Sequence, residues 1–290
     1  MKIDLHIHTK DGSDGHLSIE EVFSEAHKRC IGLISITDHD SIDVQERAKK
    51  LADQYGMRFL SGVELNVTFS HPEYKDGKEI SLDFLGYNFD IHNENLGKKL
   101  AELRAYRVRR AEIILDNINE EFEKQGLPLF TPKDLEAIQA SADGAFGRPH
   151  IANYLIEKGL VKDKQEAFDK YLIKSNVPKM PLSLTDASSL IRGAGGKLVI
   201  AHPNDPNNTS LVSLSHSLLE QQKIIEESML GSIDGVECWH SRHDQETIAS
   251  YLKFVKRHSL IVTGGSDCHQ QPILIGMLDI PDYVASQFGF

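Results

Sequence analysis

The sequence of 290 residues predicts an α/β fold, a barrel or barrel-like domain interrupted by a helical insertion. Three observations carry this. Short apolar strands alternate with amphipathic helices over the first hundred residues and again after residue 185. Between them lies a long stretch with helical periodicity and no strand signal. Histidines and carboxylates gather at or near strand ends, where a barrel collects its functional residues. An open doubly wound sheet is the alternative, but it wants a Gly-x-Gly-x-x-Gly turn after the first strand, and Gly12 and Gly15 do not form one. The expected organisation is a barrel built from residues 1-97 and 185-290 and a helical cap over 98-184.

The elements follow in order. Lys2 to Thr9 reads as a strand, and Asp11-Gly12-Ser13-Asp14-Gly15 as a turn. Ser18-Ile19-Glu20-Glu21 matches a capping box and opens a helix whose Val22, Ala26 and Cys30 share a face. Leu33 to Thr37 is the second strand, Val44 to Tyr55 a helix, Arg58 to Val67 the third strand and Ile80 to Phe89 the fourth. Alternation with helices implies parallel pairing. Leu100, Leu103, Ala111, Ile114, Leu115, Ile118 and Phe122 then recur at helical spacing until Gly126, and three shorter helical patterns follow. After a helix from Asp186 come the strands Lys197 to Ala201, Gly235 to His240 and Leu260 to Gly264, separated by helices around Leu218 to Leu230 and Asp244 to His258.

Composition narrows the function. The formal charge is −11 and no basic run occurs, which argues against gripping duplex DNA through surface charge. Bound cations could still reverse the sign of a site locally. Three cysteines without Cys-x-x-Cys spacing exclude a disulfide scaffold and a thiolate zinc site. No apolar run reaches the length of a membrane span and no leader pattern is present, so a cytoplasmic protein without membrane contact is expected.

His6-Ile7-His8 points two imidazoles to one face of a strand, half of a divalent metal site. Asp14, His39, Glu64, Asp83, His202, Asp267 and His269 complete the candidate set. Glu64 stands in an apolar strand, where an unpaired buried carboxylate is costly and a cation must offset it. Asp267-x-His269 repeats the His6-x-His8 geometry. Five imidazoles and four carboxylates exceed what one ion needs. The mixed N/O donors suit Mn²⁺, Fe²⁺ or Zn²⁺, with Mg²⁺ a further candidate. Such a pocket could hold phosphate.

His6-Ile7-His8-Thr9, Ser13-Asp14-Gly15, Ile36-Thr37-Asp38-His39-Asp40, Gly62-Val63-Glu64, Ile200-Ala201-His202-Pro203 and Gly264-Gly265-Ser266-Asp267-Cys268-His269 resemble the motifs of the polymerase and histidinol phosphatase (PHP) family. Gly147-Arg148-Pro149-His150 in the insertion resembles its branch of nucleotide phosphoesterases, which includes 3′,5′-bisphosphonucleotide phosphatases and 5′-to-3′ exoribonucleases. The resemblance implies a distorted barrel of seven strands holding two to three divalent ions. It assigns His6, His8, Glu64 and Asp267 to the first ion. Glu64, Asp83 and His202 go to the second, and Asp14, His39 and His269 to the third. Asp14 and Asp83 stand where some relatives have His.

The expected reaction is hydrolysis of a phosphate monoester, with a diester as the alternative, by a water activated between metals, with Glu64, Asp267 and His269 at the catalytic centre and no side-chain nucleophile. The expected substrate is a phosphorylated small molecule, a 3′,5′-bisphosphonucleotide or mononucleotide, and short RNA is a further candidate. A non-nucleotide monoester such as histidinol phosphate, and a non-catalytic regulatory module, are the alternatives. Arg148 and His150 in the insertion, and Arg242 and His243 after the strand ending at His240, are the candidate substrate contacts. Arg104, Arg107, Arg109 and Arg110 read as a solvated helix face, and His71, His216 and His258 as surface histidines. Cys268 is expected to point away from its ligand neighbours.

Overall fold

The computed structural model describes residues 1–141, 148–206, 209–270 and 272–290. The chain forms two compact units, Met1–Leu100 with Pro181–Phe290, and Ala101–Met180. In the first unit, β1 (Lys2–Asp4), α1 (Ile19–Lys28), β2 (Ile31–Ile36), α2 (Gln45–Tyr55), β3 (Arg58–Phe69) and β4 (Ile80–Tyr87) precede α3 (Glu94–Gln125), which runs on into the second unit. The second unit continues with α4 (Pro132–Ser141), α5 (Arg148–Glu157) and α6 (Lys164–Ala167). The first unit resumes with α7 (Leu184–Gly193), β5 (Lys197–Ile200), α8 (Leu218–Ser228), β6 (Gly235–His240), α9 (Gln245–His258), β7 (Ile261–Gly265) and α10 (Tyr283–Ser286).

The seven strands pair in sequence order, giving a nearly closed barrel. Closure uses Leu5 N–H to Gly264 O at 3.1 Å, His8 N–H to Cys268 O at 3.2 Å and Asp267 N–H to His6 O at 2.8 Å. Helix α1 starts as its residues demand: Ser18 Oγ accepts from Glu21 N–H while Glu21 Oε2 accepts from Ser18 N–H. Val22, Phe23 and Ala26 of α1 and Ala48 and Ala52 of α2 bury their faces against Ile7, Ile34, Ile36 and Cys268. Cys268 therefore turns into this apolar layer.

Three expectations are corrected. All-parallel pairing fails at β4, which runs antiparallel to both β3 and β5. No crossover helix separates β3 from β4, so the chain folds straight back as an antiparallel pair. The first strand ends at Asp4 rather than Thr9, and Ile7 makes only an isolated bridge to Cys268. Cys30 lies beyond the end of α1, exposed, in a left-handed conformation with φ 60°.

The helical unit is built on one apolar cluster. Ile114, Ile118 and Phe122 of α3 meet Ile138, Ile151, Leu155 and Leu172. Arg110 corrects the solvated-face reading: it is 9% exposed, its Nη2 donates to Asn176 Oδ1 at 3.0 Å and its Nε to the Val177 carbonyl. Among the described residues no helix is long and apolar enough to cross a membrane.

Candidate metal centre

Nine side chains predicted from the sequence converge inside the first unit. His6 Nε2 lies 3.1 Å from His8 Nε2, 3.3 Å from Glu64 Oε2 and 3.3 Å from Asp267 Oδ1. His8 Nε2 lies 3.0 Å from Glu64 Oε2 and 3.5 Å from Asp267 Oδ1. All four ligand atoms lie within 4.8 Å of one another, close enough for a single divalent ion to reach them. Glu64 turns its other oxygen, Oε1, to His202 Nε2 at 3.1 Å, and Asp83 joins these two within 4.8 Å. Asp14 faces His269 Nε2 at 3.3 Å and His39 Nε2 at 3.8 Å, with His8 alongside. The three groupings share Glu64 and His8.

Local structure explains the convergence. Gly265 lets β7 approach β1, since a Cβ there would meet His6 N at 2.2 Å. Register sets Asn66 of β3 opposite Asp83 of β4, and Asn66 Nδ2 donates to Asp83 Oδ1 at 2.6 Å. His202 and Asp267 hold left-handed backbones with φ of 24° and 53°. Such conformations cost about 1–3 kcal/mol each and need support from their surroundings. Asp267 N–H is held by His6 O, and His202 N–H donates to Glu237 Oε2 at 2.8 Å.

Electrostatics favours a bound cation. His6 Nδ1 faces Glu237 Oε1 at 3.0 Å and His8 Nδ1 faces Ser13 Oγ at 3.2 Å, which leaves both Nε2 atoms aimed at the carboxylates. Ser13 Oγ in turn donates to Asp38 Oδ1 at 2.7 Å. Burial alone would lower the His6 pKa, yet Glu237, Glu64 and Asp267 hold it well above the usual imidazole value. His202 rises to about 9: burial opposes the proton, but Glu64 outweighs it. His8 falls to about 4 through burial and the neighbouring His269. Asp83 rises to about 6 through burial and the charge of Glu64. Metal ligation requires the deprotonated imidazoles, so an ion held here would take the place of protons on His6 and His202. The residues present therefore fit divalent metal ions.

The sequence reading missed Glu237 and His240. Glu237 is wholly buried and orients His6, and His240 Nε2 faces Asp267 Oδ2 at 3.3 Å while its Nδ1 accepts from Arg242 N–H. The signal was available: Glu237 stands in an apolar strand, as Glu64 does. Asp205 was also missed, and it groups with His240 and Asp267.

Of the candidate substrate contacts, Arg242 and His243 lie in the first unit and Arg148 and His150 in the second. Arg242 is 43% exposed, with Nη1 bonded to Asp205 Oδ2 and 3.9 Å from Asp267 Oδ2. His243 is buried, its Nδ1 facing Cys238 O at 3.0 Å and its Nε2 accepting from Asn204 N–H at 3.3 Å. Both nitrogens hold protein atoms, so His243 braces the loop. In the helical unit Arg148 is half-buried over the Phe168 ring at 5.6 Å, and His150 sits in the first turn of α5. Gly147 lies outside the described residues. His71, expected at the surface, is buried with Nε2 3.4 Å from Glu227. His92 is exposed beside Glu46.

Comparison with known proteins agrees with this geometry. The PHP domain family matches residues 4–252. The chain is 29% identical over 279 residues to the 3′,5′-nucleoside bisphosphate phosphatase of Chromobacterium violaceum, covering 92% of this chain and 87% of that one. It is 28% identical over 274 residues to a 5′-3′ exoribonuclease of Haemophilus influenzae, covering 92% and 90%. A solved structure from Bifidobacterium adolescentis, described as a metal-dependent phosphoesterase, superposes with a TM-score of 0.74 at 27% identity over 99% of this chain and 94% of its own.

Proposed function

The chain belongs to the PHP family and is a hydrolase of phosphate esters, and on that premise we propose that it removes phosphate from nucleotides. The proposed substrates are 3′,5′-bisphosphonucleotides or mononucleotides. The observation that carries the chemistry is the convergence of His6, His8, Glu64 and Asp267, whose facing ligand atoms all lie within 4.8 Å of one another. The nucleotide assignment draws support from relatives named for a nucleoside bisphosphate and for RNA, each matched over nine-tenths of this chain. The second of these relatives favours short RNA, attacked from its 5′ end, as a second substrate.

In this reading His6, His8, Glu64 and Asp267 would hold one divalent ion. Glu64, Asp83 and His202 would hold a second, and Asp14, His39 and His269 a third. Bound there, divalent ions supply charge neutralisation and water activation for in-line displacement at phosphorus. The residues supply the rest. Glu237 and Ser13 fix the ring orientations of His6 and His8, so that Nε2 of each faces the centre. His240 holds the outer oxygen of Asp267 and leaves the inner one for the site. Arg242 meets the phosphoryl oxygens. On the helical unit Arg148 and His150 are the proposed substrate contacts.

Phosphate release by the Mn²⁺-loaded protein should be compared on adenosine 3′,5′-bisphosphate, mononucleotides, short RNA and histidinol phosphate. Nucleotides should turn over fastest, and a chelator should stop the reaction. Equal rates on all four would end the nucleotide assignment.

A further inference from the structure

We infer that Asp205 is a positioning residue that anchors Arg242, so that the free edge of the guanidinium binds a non-bridging oxygen of the substrate's phosphoryl group. The inference rests on the phosphoester reading above and names how one wall of that site is set. Asp205 lies in the loop after β5 and is wholly buried, whereas Arg242 lies in the loop after β6 with 43% of its side chain exposed. Nη1 of Arg242 bonds Asp205 Oδ2 and stands 3.9 Å from Asp267 Oδ2. Among the described residues, Nε and Nη2 of Arg242 donate to no protein group. A guanidinium carries five N–H donors in one plane. Here one nitrogen is tied down, and two others keep donors that match the spacing of oxygens on a phosphoryl group.

The anchor is itself fixed. Asp205 N–H donates to His202 O at 3.0 Å, and Ser210 Oγ donates to Asp205 O at 2.6 Å. Asn204, next in the chain, donates its N–H to His243 Nε2 and its Nδ2 to Thr247 Oγ1 at 2.9 Å, and accepts from Gln221 Nε2 at 2.9 Å. His243 thus ties the loop carrying Asp205 to the loop carrying Arg242. Asp205, His240 and Asp267 are also spaced closely enough to hold a cation, and Arg242 already presents its positive charge to both carboxylates. A side chain held in place before binding loses less freedom when the anion arrives. Positive charge beside Asp267 then serves an incoming phosphoryl group.

The test uses Mn²⁺-loaded wild type, Asp205→Asn, Arg242→Lys and the double variant. Calorimetry with inorganic phosphate is the first readout, and the split between KM and kcat on a nucleotide monoester is the second. Asp205→Asn should weaken phosphate about tenfold and raise KM more than it lowers kcat, as expected for a group acting on binding. Arg242→Lys should weaken phosphate at least as much, because the planar fork is gone. The double variant should be no worse than Arg242→Lys alone, since residues acting through one another are not additive. Unchanged phosphate affinity in Asp205→Asn, or losses that multiply in the double variant, would overturn the inference. If Asp205→Asn fails to fold, Arg242→Lys decides: unchanged phosphate affinity overturns it. Phosphate binding needs no turnover. Arg242-dependent binding without nucleotide hydrolysis would remove the substrate assignment and leave the anchor standing.

Discussion

The barrel unit and the helical unit solve burial in opposite ways. The barrel interior holds His6, His8, Glu64, Glu237, His202 and Asp267 at near-zero exposure, charge beside charge. The buried cluster of the helical unit is built from aliphatic and aromatic side chains, and polar groups such as Asn119 and Asp134 are only partly buried around it. Burying unpaired charge costs free energy that apolar packing does not. The barrel interior is therefore arranged as a ligand site is, whereas the buried cluster of the helical unit serves packing. The same substitution logic should read out differently in each: as lost metal and turnover in the barrel, as lost folding free energy in the helices.

The largest effect expected is at Asp267. Asp267→Asn removes the charge while an Asn side chain tolerates the left-handed backbone. Phosphate release should fall about a thousandfold, a loss typical of removing charge stabilisation at a reacting centre. Metal analysis should show at least one ion lost per chain, and full activity with full metal content would break the comparison. In the helical unit, Phe122 is wholly buried, with Phe130 and Tyr171 rings each centred 5.1 Å away. Phe122→Ala should cost about 3–5 kcal/mol in chemical denaturation. A loss under 1 kcal/mol would mean that this cluster does not carry the unit.

Glu237→Gln comes next. It keeps the shape but weakens the hold on His6, so metal affinity should drop about 10–100-fold. Titrating metal into chelated protein measures this, and an unchanged affinity would show that Glu237 is structural. The smallest effect is at Asp134, which accepts from Thr131 N–H at 2.7 Å, Thr131 Oγ at 2.6 Å and Tyr154 Oη at 2.7 Å. Asp134→Ala should cost about 1 kcal/mol. These bonds, Thr131's foremost, depress its carboxyl to about 2 from 3.8. A depressed carboxyl contributes stability that is full above the unfolded value and fades as pH falls toward 2. The difference between wild type and Asp134→Ala should therefore be complete at pH 6 and shrink below pH 4.

Much of the site was legible because its residues break local rules. Glu64 interrupts an apolar strand, and His6-x-His8 and Asp267-x-His269 repeat one spacing. Glu237 breaks the same rule but has no such partner nearby in sequence, so only the fold shows that it faces His6. His243 read as a candidate substrate contact beside Arg242; its burial and two occupied nitrogens come from a turn that no local pattern announces. Arg110 matched an exposed basic face by composition, and the segment around Asn176 covers it.

The amino-acid order determined by itself the alternation of strands and helices, the apolar helical segment and the stock of metal-ligand residues, because each is written in short-range periodicity and chemistry. Tertiary structure decided the antiparallel turn of β4, the two-sided use of Glu64 and the coupling of Asp205 to Arg242. These depend on strand register and on contacts between loops far apart in sequence, such as Asp205 and Arg242, 37 residues apart. His6-x-His8 supplied imidazoles; Gly265, by letting β7 press against His6, decided that they meet Asp267.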